Sequence, residues 1–104
     1  MKKSDLRSGM LVTLRNSETY YVMLNTGLLG DQADVLIHKV GHDTGWMSLR
    51  CYDEDMTHHD DPDCIFPLTP EEDRMWDIMK VEATTTAGYI CMRHYYRTVW
   101  EREE

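Results

Sequence analysis

The stretch SGMLVTLRNSETYYVML, residues 8–24, decides how this chain is read. Met10, Val12 and Leu14 alternate with Leu11, Thr13 and Arg15. After the polar Asn16-Ser17-Glu18, Tyr20, Val22 and Leu24 alternate with Tyr21 and Met23. Successive side chains of an extended strand point to opposite faces, so two period-two runs around a polar turn predict an antiparallel hairpin. A tight hairpin turn wants positive φ at both central positions and favours Asn-Gly, whereas here the pair is Asn16-Ser17. The expectation is a turn one or two residues longer, or a strained Ser17.

Leu6 in the polar lead-in is expected to plug one end of the core, and Gly9 to permit the bend into the first strand. The two glycines at Gly27 and Gly30 mark a loop that carries Leu28 and Leu29. Residues 33–40 alternate again and predict a third strand, a turn follows at 41–45, and 46–48 predict a short fourth strand. Ser48 is placed to cap a helical turn with Leu49, Tyr52 and Met56 on one face and Asp53, Glu54 and Asp55 on the other. Residues 57–63, THHDDPD, contain no apolar side chain and predict a loop.

Thr69-Pro70-Glu71-Glu72 is a helix start: Thr at N-cap, Pro at N1 and Glu at N3 closing a capping box. Beyond it, Met75, Trp76 and Met79 allow an amphipathic helix to about residue 82, while residues 76–81 equally allow a strand after one turn. Residues 83–88 read as a loop and 89–96 fit neither period. A last strand over 98–102 turns Val99 or Trp100 inward and is expected to pair with the first strand, closing the sheet.

The 104 residues support one domain, 1–104, with one core. A hydrophobic share of 41% argues for a folded chain, while a mean hydropathy of −0.57 implies a thin core. The predicted fold is mostly β (α+β): a small bent antiparallel sheet or SH3-like barrel of about five strands, with one or two short helices. No run of about 18 apolar residues is present to span a bilayer. After Met1-Lys2-Lys3, the segment Ser4-Asp5-Leu6-Arg7 stands where a signal peptide would be apolar, so the expected location is the cytoplasm. Cys51, Cys64 and Cys91 are an odd count at unrelated spacings, which suits reduced thiols.

The charge is concentrated. Residues 53–73 hold nine acids, namely Asp53, Glu54, Asp55, Asp60, Asp61, Asp63, Glu71, Glu72 and Asp73, and no Lys or Arg. That window alone carries −9 against a whole-chain net of −8, leaving the rest of the chain at +1. Such a charge repels nucleic acid and favours a basic partner, or simply keeps the domain soluble.

The segments KKSDLRSGMLVTLRNSETYYVM, SLRCYDEDMTH, WDIMKV and VWERE together resemble small proteins of unknown function encoded by phages and prophages of Gram-positive bacteria. The resemblance implies a phage-borne accessory protein in the host cytoplasm, and it implies a strand over 76–81. The chain departs from that pattern with Ser17 where Gly is usual and with the added ICMRHYY stretch at 90–96. No activity or catalytic residue comes with the resemblance.

Chemistry-bearing clusters are few. His58-His59-Asp60-Asp61-Pro62-Asp63-Cys64 is dense in ligand types, yet it matches neither zinc spacing nor an EF-hand register, so no metal and no cofactor is expected. The carboxylates lie in surface-like runs, and the phosphate loop, nucleophile elbow and His-Glu-x-x-His are all missing, so the chain is not expected to be an enzyme. The residues expected to bind a partner are Tyr52 as an anchoring aromatic with Asp53, Glu54, Asp55, Asp60, Asp61, Asp63, Glu71, Glu72 and Asp73, while Trp76 or Phe66 could also serve as anchors. The expected function is non-catalytic binding and inhibition of a host or defence nucleic-acid enzyme. By analogy with anti-CRISPR and anti-restriction inhibitors, the acidic face would imitate a phosphate backbone in a basic groove. The alternative is a small β-barrel nucleic-acid module using Arg93, His94, Tyr95, Tyr96 and Arg97, against which the pI of 5.0 argues.

Overall fold

The computed structural model describes residues 1–25, 34–38, 46–59, 68–84 and 96–103. Six strands form one antiparallel sheet: β1 (Leu11–Leu14), β2 (Thr19–Met23), β3 (Val35–His38), β4 (Trp46–Ser48), β5 (Ile78–Thr84) and β6 (Tyr96–Glu101), in the order β4-β3-β2-β1-β5-β6. One α-helix, α1 (Pro70–Arg74), and two 3-10 turns, Lys3–Asp5 and Leu49–Cys51, complete the described elements. The sheet is open, so the barrel alternative does not hold. The C-terminal strand pairs with β5 and not with β1, because β5 already occupies the free edge of β1. The loop bearing Leu28 and Leu29 lies outside the described residues, as do Phe66, Cys64 and Cys91.

The hairpin forms as its period predicts, with Leu11 opposite Tyr21, Val12 opposite Tyr20 and Thr13 opposite Thr19. Its turn is the longer kind. The Leu14 N–H donates to Glu18 O at 2.9 Å, the Ser17 N–H to Leu14 O at 2.9 Å, and Ser17 takes φ 72. A three-residue loop ending in a left-handed residue suits the strands' twist, and glycine is the usual occupant of that position. Glycine there removes a steric cost of about 1–2 kcal/mol and adds about 0.5–1 kcal/mol of chain entropy to be lost. Ser17→Gly is therefore expected to stabilise the fold by about 0.5–1 kcal/mol. The readout is a higher urea midpoint at unchanged slope; a lower midpoint would contradict this account of the turn.

One face of the sheet carries the core. Val12, Val22, Leu36 and Val81 are fully buried, and Leu6, Leu49, Tyr52 and Met56 close over them from the N-terminal segment and residues 49–56. Ser48 caps the Leu49–Cys51 turn, its Oγ accepting the Arg50 N–H at 3.1 Å. Leu49, Tyr52 and Met56 all point inward as the sequence predicts, but the helical turn stops at Cys51. α1 begins with the predicted capping box: Thr69 Oγ1 accepts the Glu72 N–H at 3.2 Å and the Glu72 carboxylate accepts the Thr69 N–H at 3.3 Å. It ends after five residues, so the helix to about residue 82 does not form; residues 78–84 are strand, while 76 and 77 are turn.

The sheet's edges are blunted. β4 has three residues, and β6 has an extra residue where Val81 faces Trp100 but Glu82 faces Thr98, leaving Val99 exposed. Short or bulged edge strands resist pairing with another chain. Trp100 packs half-buried on the core, and Arg102 lies 5.4 Å from its ring centroid. The Arg102 guanidinium donates to Ile78 O at 3.2 Å and Asp55 O at 3.0 Å, clipping the C-terminal end of β6 to the loop at 53–57.

Candidate functional site

Asp53, Glu54 and Asp55 form the tip of a turn and not one face of a helix. The Asp53 N–H donates to Thr57 O at 3.0 Å and the Met56 N–H to Asp53 O at 2.9 Å, with Met56 at φ 67. Position by position this is the turn of residues 14–18 again. Even the side-chain bracing repeats, because Asn16 Oδ1 accepts the Glu18 N–H at 2.9 Å and Asp55 Oδ1 accepts the Thr57 N–H at 3.1 Å. Flanking the turn, Tyr52 and His58 make an antiparallel bridge.

All three carboxylates at this tip are exposed, but they do not face one way. Glu54 turns toward the N-terminus, where its Oε2 accepts the Ser4 N–H at 3.4 Å. Asp53 contacts the His59 ring, and Asp55 accepts the Thr57 hydroxyl at 2.6 Å. The hydroxyl and backbone bonds from Thr57 hold the Asp55 carboxyl below the usual carboxylate range, with Arg102 adding a smaller pull.

His58 and His59 point to opposite sides of the extended segment that follows the turn. The His58 ring is inward, its Nδ1 on the Asp73 carboxylate, meeting Tyr52 edge-on and Trp76 at a tilt, at centroid distances of 5.2 and 6.2 Å. His59 is outward. The hydrogen bond it donates to the Asp53 carboxylate raises its pKa above the usual imidazole value, and the charges of Asp53, Asp73 and Asp55 reinforce that shift. Carboxylates from the turn and from α1 therefore act on one imidazole. Glu71 and Glu72 are exposed on α1, and Glu72 also spends its carboxylate on the cap.

Among the described residues, no Lys or Arg side chain makes an ion pair with any of these six carboxylates; the recorded partners are His58 and His59. Tyr52 is not presented to a partner. It is 2% exposed, its hydroxyl donates to Trp76 O at 2.6 Å, and burial pushes its pKa far up. Trp76 is half-buried against the core. Asp60, Asp61 and Asp63 lie outside the described residues, as do Arg93, His94 and Tyr95. Arg97 is exposed on the edge strand β6 and Tyr96 half-buried beside it.

Sequence reading passed over Asp77, which is 6% exposed. Its Oδ1 accepts the His58 N–H at 2.8 Å and its Oδ2 faces Arg15 at 3.4 Å. The available signal was a carboxylate interrupting an apolar run between Trp76 and Ile78. A second cluster joins β2 to β3: the Tyr20 hydroxyl donates to Glu18 at 3.0 Å and its ring meets His38 edge-on at 5.0 Å. Burial, with help from Glu18, pushes the Tyr20 pKa up to about 12. Among the described residues, no group of three or more His, Cys, Asp or Glu is arranged to hold a metal ion, and no helix is long and apolar enough to cross a membrane. Cys51 is half-buried.

Compared with protein-family models, with curated proteins and with solved structures, the chain matches none.

Proposed function

We propose that this is a non-catalytic, phage-borne binding protein whose acidic face occupies the basic nucleic-acid groove of a host or defence enzyme. The observation that supports this reading is that Asp53, Asp55, Glu71 and Glu72 are all exposed, and that among the described residues no Lys or Arg makes an ion pair with them. A rigid, like-signed face on a sheet scaffold steers association with a basic surface and rejects nucleic acid. Because the His59 imidazole lies against Asp53, the face becomes more negative as His59 gives up its proton. Binding to a lysine- and arginine-rich groove is then expected to be tighter near pH 8 than near pH 6.

The test is capture from a lysate of a Gram-positive bacterium by the immobilised protein, with and without nuclease, at low and raised salt. A variant carrying Asp53→Asn, Asp55→Asn and Glu71→Gln runs in parallel; each change keeps the side chain's shape. Captured protein that survives nuclease, leaves at raised salt and is lost with the variant supports the reading. Captured nucleic acid that the variant retains refutes it and favours binding through the Arg97 strand.

A further inference from the structure

On the opposite side of the 53–57 turn from His59, the N-terminal segment, the end of β2, the start of β3 and the Leu49–Cys51 turn enclose a cleft of about 340 Å³. Its walls are pinned to one another. The Leu24 N–H donates to Ser8 Oγ at 2.9 Å and the Asn25 N–H to Asp34 Oδ1 at 3.0 Å. The Leu49 N–H donates to Asp34 O at 3.0 Å, and the Lys3 N–H to Glu54 O at 2.9 Å. A cleft held this way is preformed, which removes part of the ordering cost of binding.

The lining is cationic in a chain of net charge −8. Lys3 and Arg7 from the N-terminal segment and Arg50 from the Leu49–Cys51 turn line it, against Asp34 and Glu54. Each of those carboxylates already has one oxygen committed, to Asn25 and to Ser4. Lys3 Nζ donates to Tyr52 O at 2.7 Å, and one Arg7 terminal nitrogen to Ser4 O and Leu6 O at 2.9 and 2.8 Å, so carbonyls and not carboxylates hold both side chains in place. The other Arg7 nitrogens are left over. The exposed Arg50 guanidinium has no partner among the described residues. Donors are therefore in excess by one positive charge, and Leu24 supplies an apolar wall.

The geometry points to a binding site for a small monoanionic carboxylate with an apolar body, the carboxylate held by Arg50 and Arg7 and the body against Leu24. Guanidinium donors suit a planar carboxylate, which they meet with two parallel hydrogen bonds. A cation would meet a lining of net positive charge, and a multiply charged anion would exceed that single positive excess.

Benzoate is the probe, with benzylammonium as its opposite-charge counterpart. The uniformly labelled full chain is titrated while the Arg Nε–H signals and the Leu24 and Asp34 amides are followed by NMR. Benzoate is expected to shift these signals saturably, and Arg50→Gln, at an exposed position, to weaken binding about tenfold, as does Arg7→Gln. The site is refuted by an absence of saturable shifts, by benzylammonium shifting the same signals equally, or by undiminished benzoate affinity in Arg50→Gln. Neither result bears on the acidic face, whose carboxylates at 53, 55 and 71 stay intact in these variants.

Discussion

Replacing Met56 by alanine is expected to cost about 3 kcal/mol, and replacing it by glycine about as much. Met56 and Ser17 occupy the same left-handed position of the same kind of turn, at φ 67 and 72, yet glycine is expected to help one and harm the other. Ser17 is exposed, so backbone strain decides the outcome there. Met56 is 0% exposed and lies in the core with Leu6, Tyr52 and Ile78. Truncating a buried methionine to alanine typically costs about 2–5 kcal/mol, whereas relief of a left-handed residue returns about 1–2 kcal/mol, part of it lost again to glycine's chain entropy. Packing therefore wins. In a domain whose whole stability is about 5–15 kcal/mol, thermal unfolding should begin more than about 10 °C lower for both variants. A Met56→Gly chain as stable as the native one would mean that the side chain is tolerated in the core and does not hold it together.

This pair of turns also shows what could and could not be read from the sequence. Where a residue's local chemistry and its tertiary role agree, the reading held: the Thr69-Pro70-Glu71-Glu72 start, the Ser48 cap and the alternation of residues 10–24 all rest on short-range geometry. At residues 53–57 they conflict. A methionine is a poor marker of a left-handed turn, and Leu49, Tyr52 and Met56 at helical spacing pointed to a helix, although the same three contacts are made by a 3-10 turn followed by a hairpin. The strand order was illegible for another reason. Whether β5 or β6 takes the edge of β1 depends on which apolar side chains the overlying 49–56 segment must cover, and the Arg102 clip to Ile78 and Asp55 joins residues with no shared periodicity.

The acidic window was legible as charge and only partly as surface. Counting residues grouped Glu54 with Asp53 and Asp55, but a hairpin tip sends neighbouring side chains apart, and Glu54 ends against Ser4 while Asp53 stays with His59. Asp73 on α1 is tied to the strand leaving the tip through the inward ring of His58 and not through His59. Histidines that looked like candidate metal ligands thus serve to bring two acidic segments together.

That junction rests on Asp77, and its removal should be felt more than any loss of surface charge. The β1–β2 turn is stitched to the link between α1 and β5 by three bonds: the Arg15 N–H to Asp77 O at 2.9 Å, the Asn16 N–H to Met75 O at 3.0 Å, and Arg15 Nε to Arg74 O at 3.1 Å. The Asp77 carboxylate adds Arg15 on one oxygen and the His58 N–H on the other. In Asp77→Ala the His58 N–H loses its acceptor in a poorly hydrated place, at about 1–3 kcal/mol. The Arg15 side chain, 20% exposed, recovers water and adds less. The expected total is about 2–3 kcal/mol. Asp77→Asn keeps an acceptor for the His58 N–H and gives up only the ion pair, so it should cost about 1 kcal/mol. The ordering in urea denaturation is therefore native, then Asn, then Ala. Equal midpoints for Asn and Ala would show that the charge, and not the accepted hydrogen bond, makes Asp77 matter.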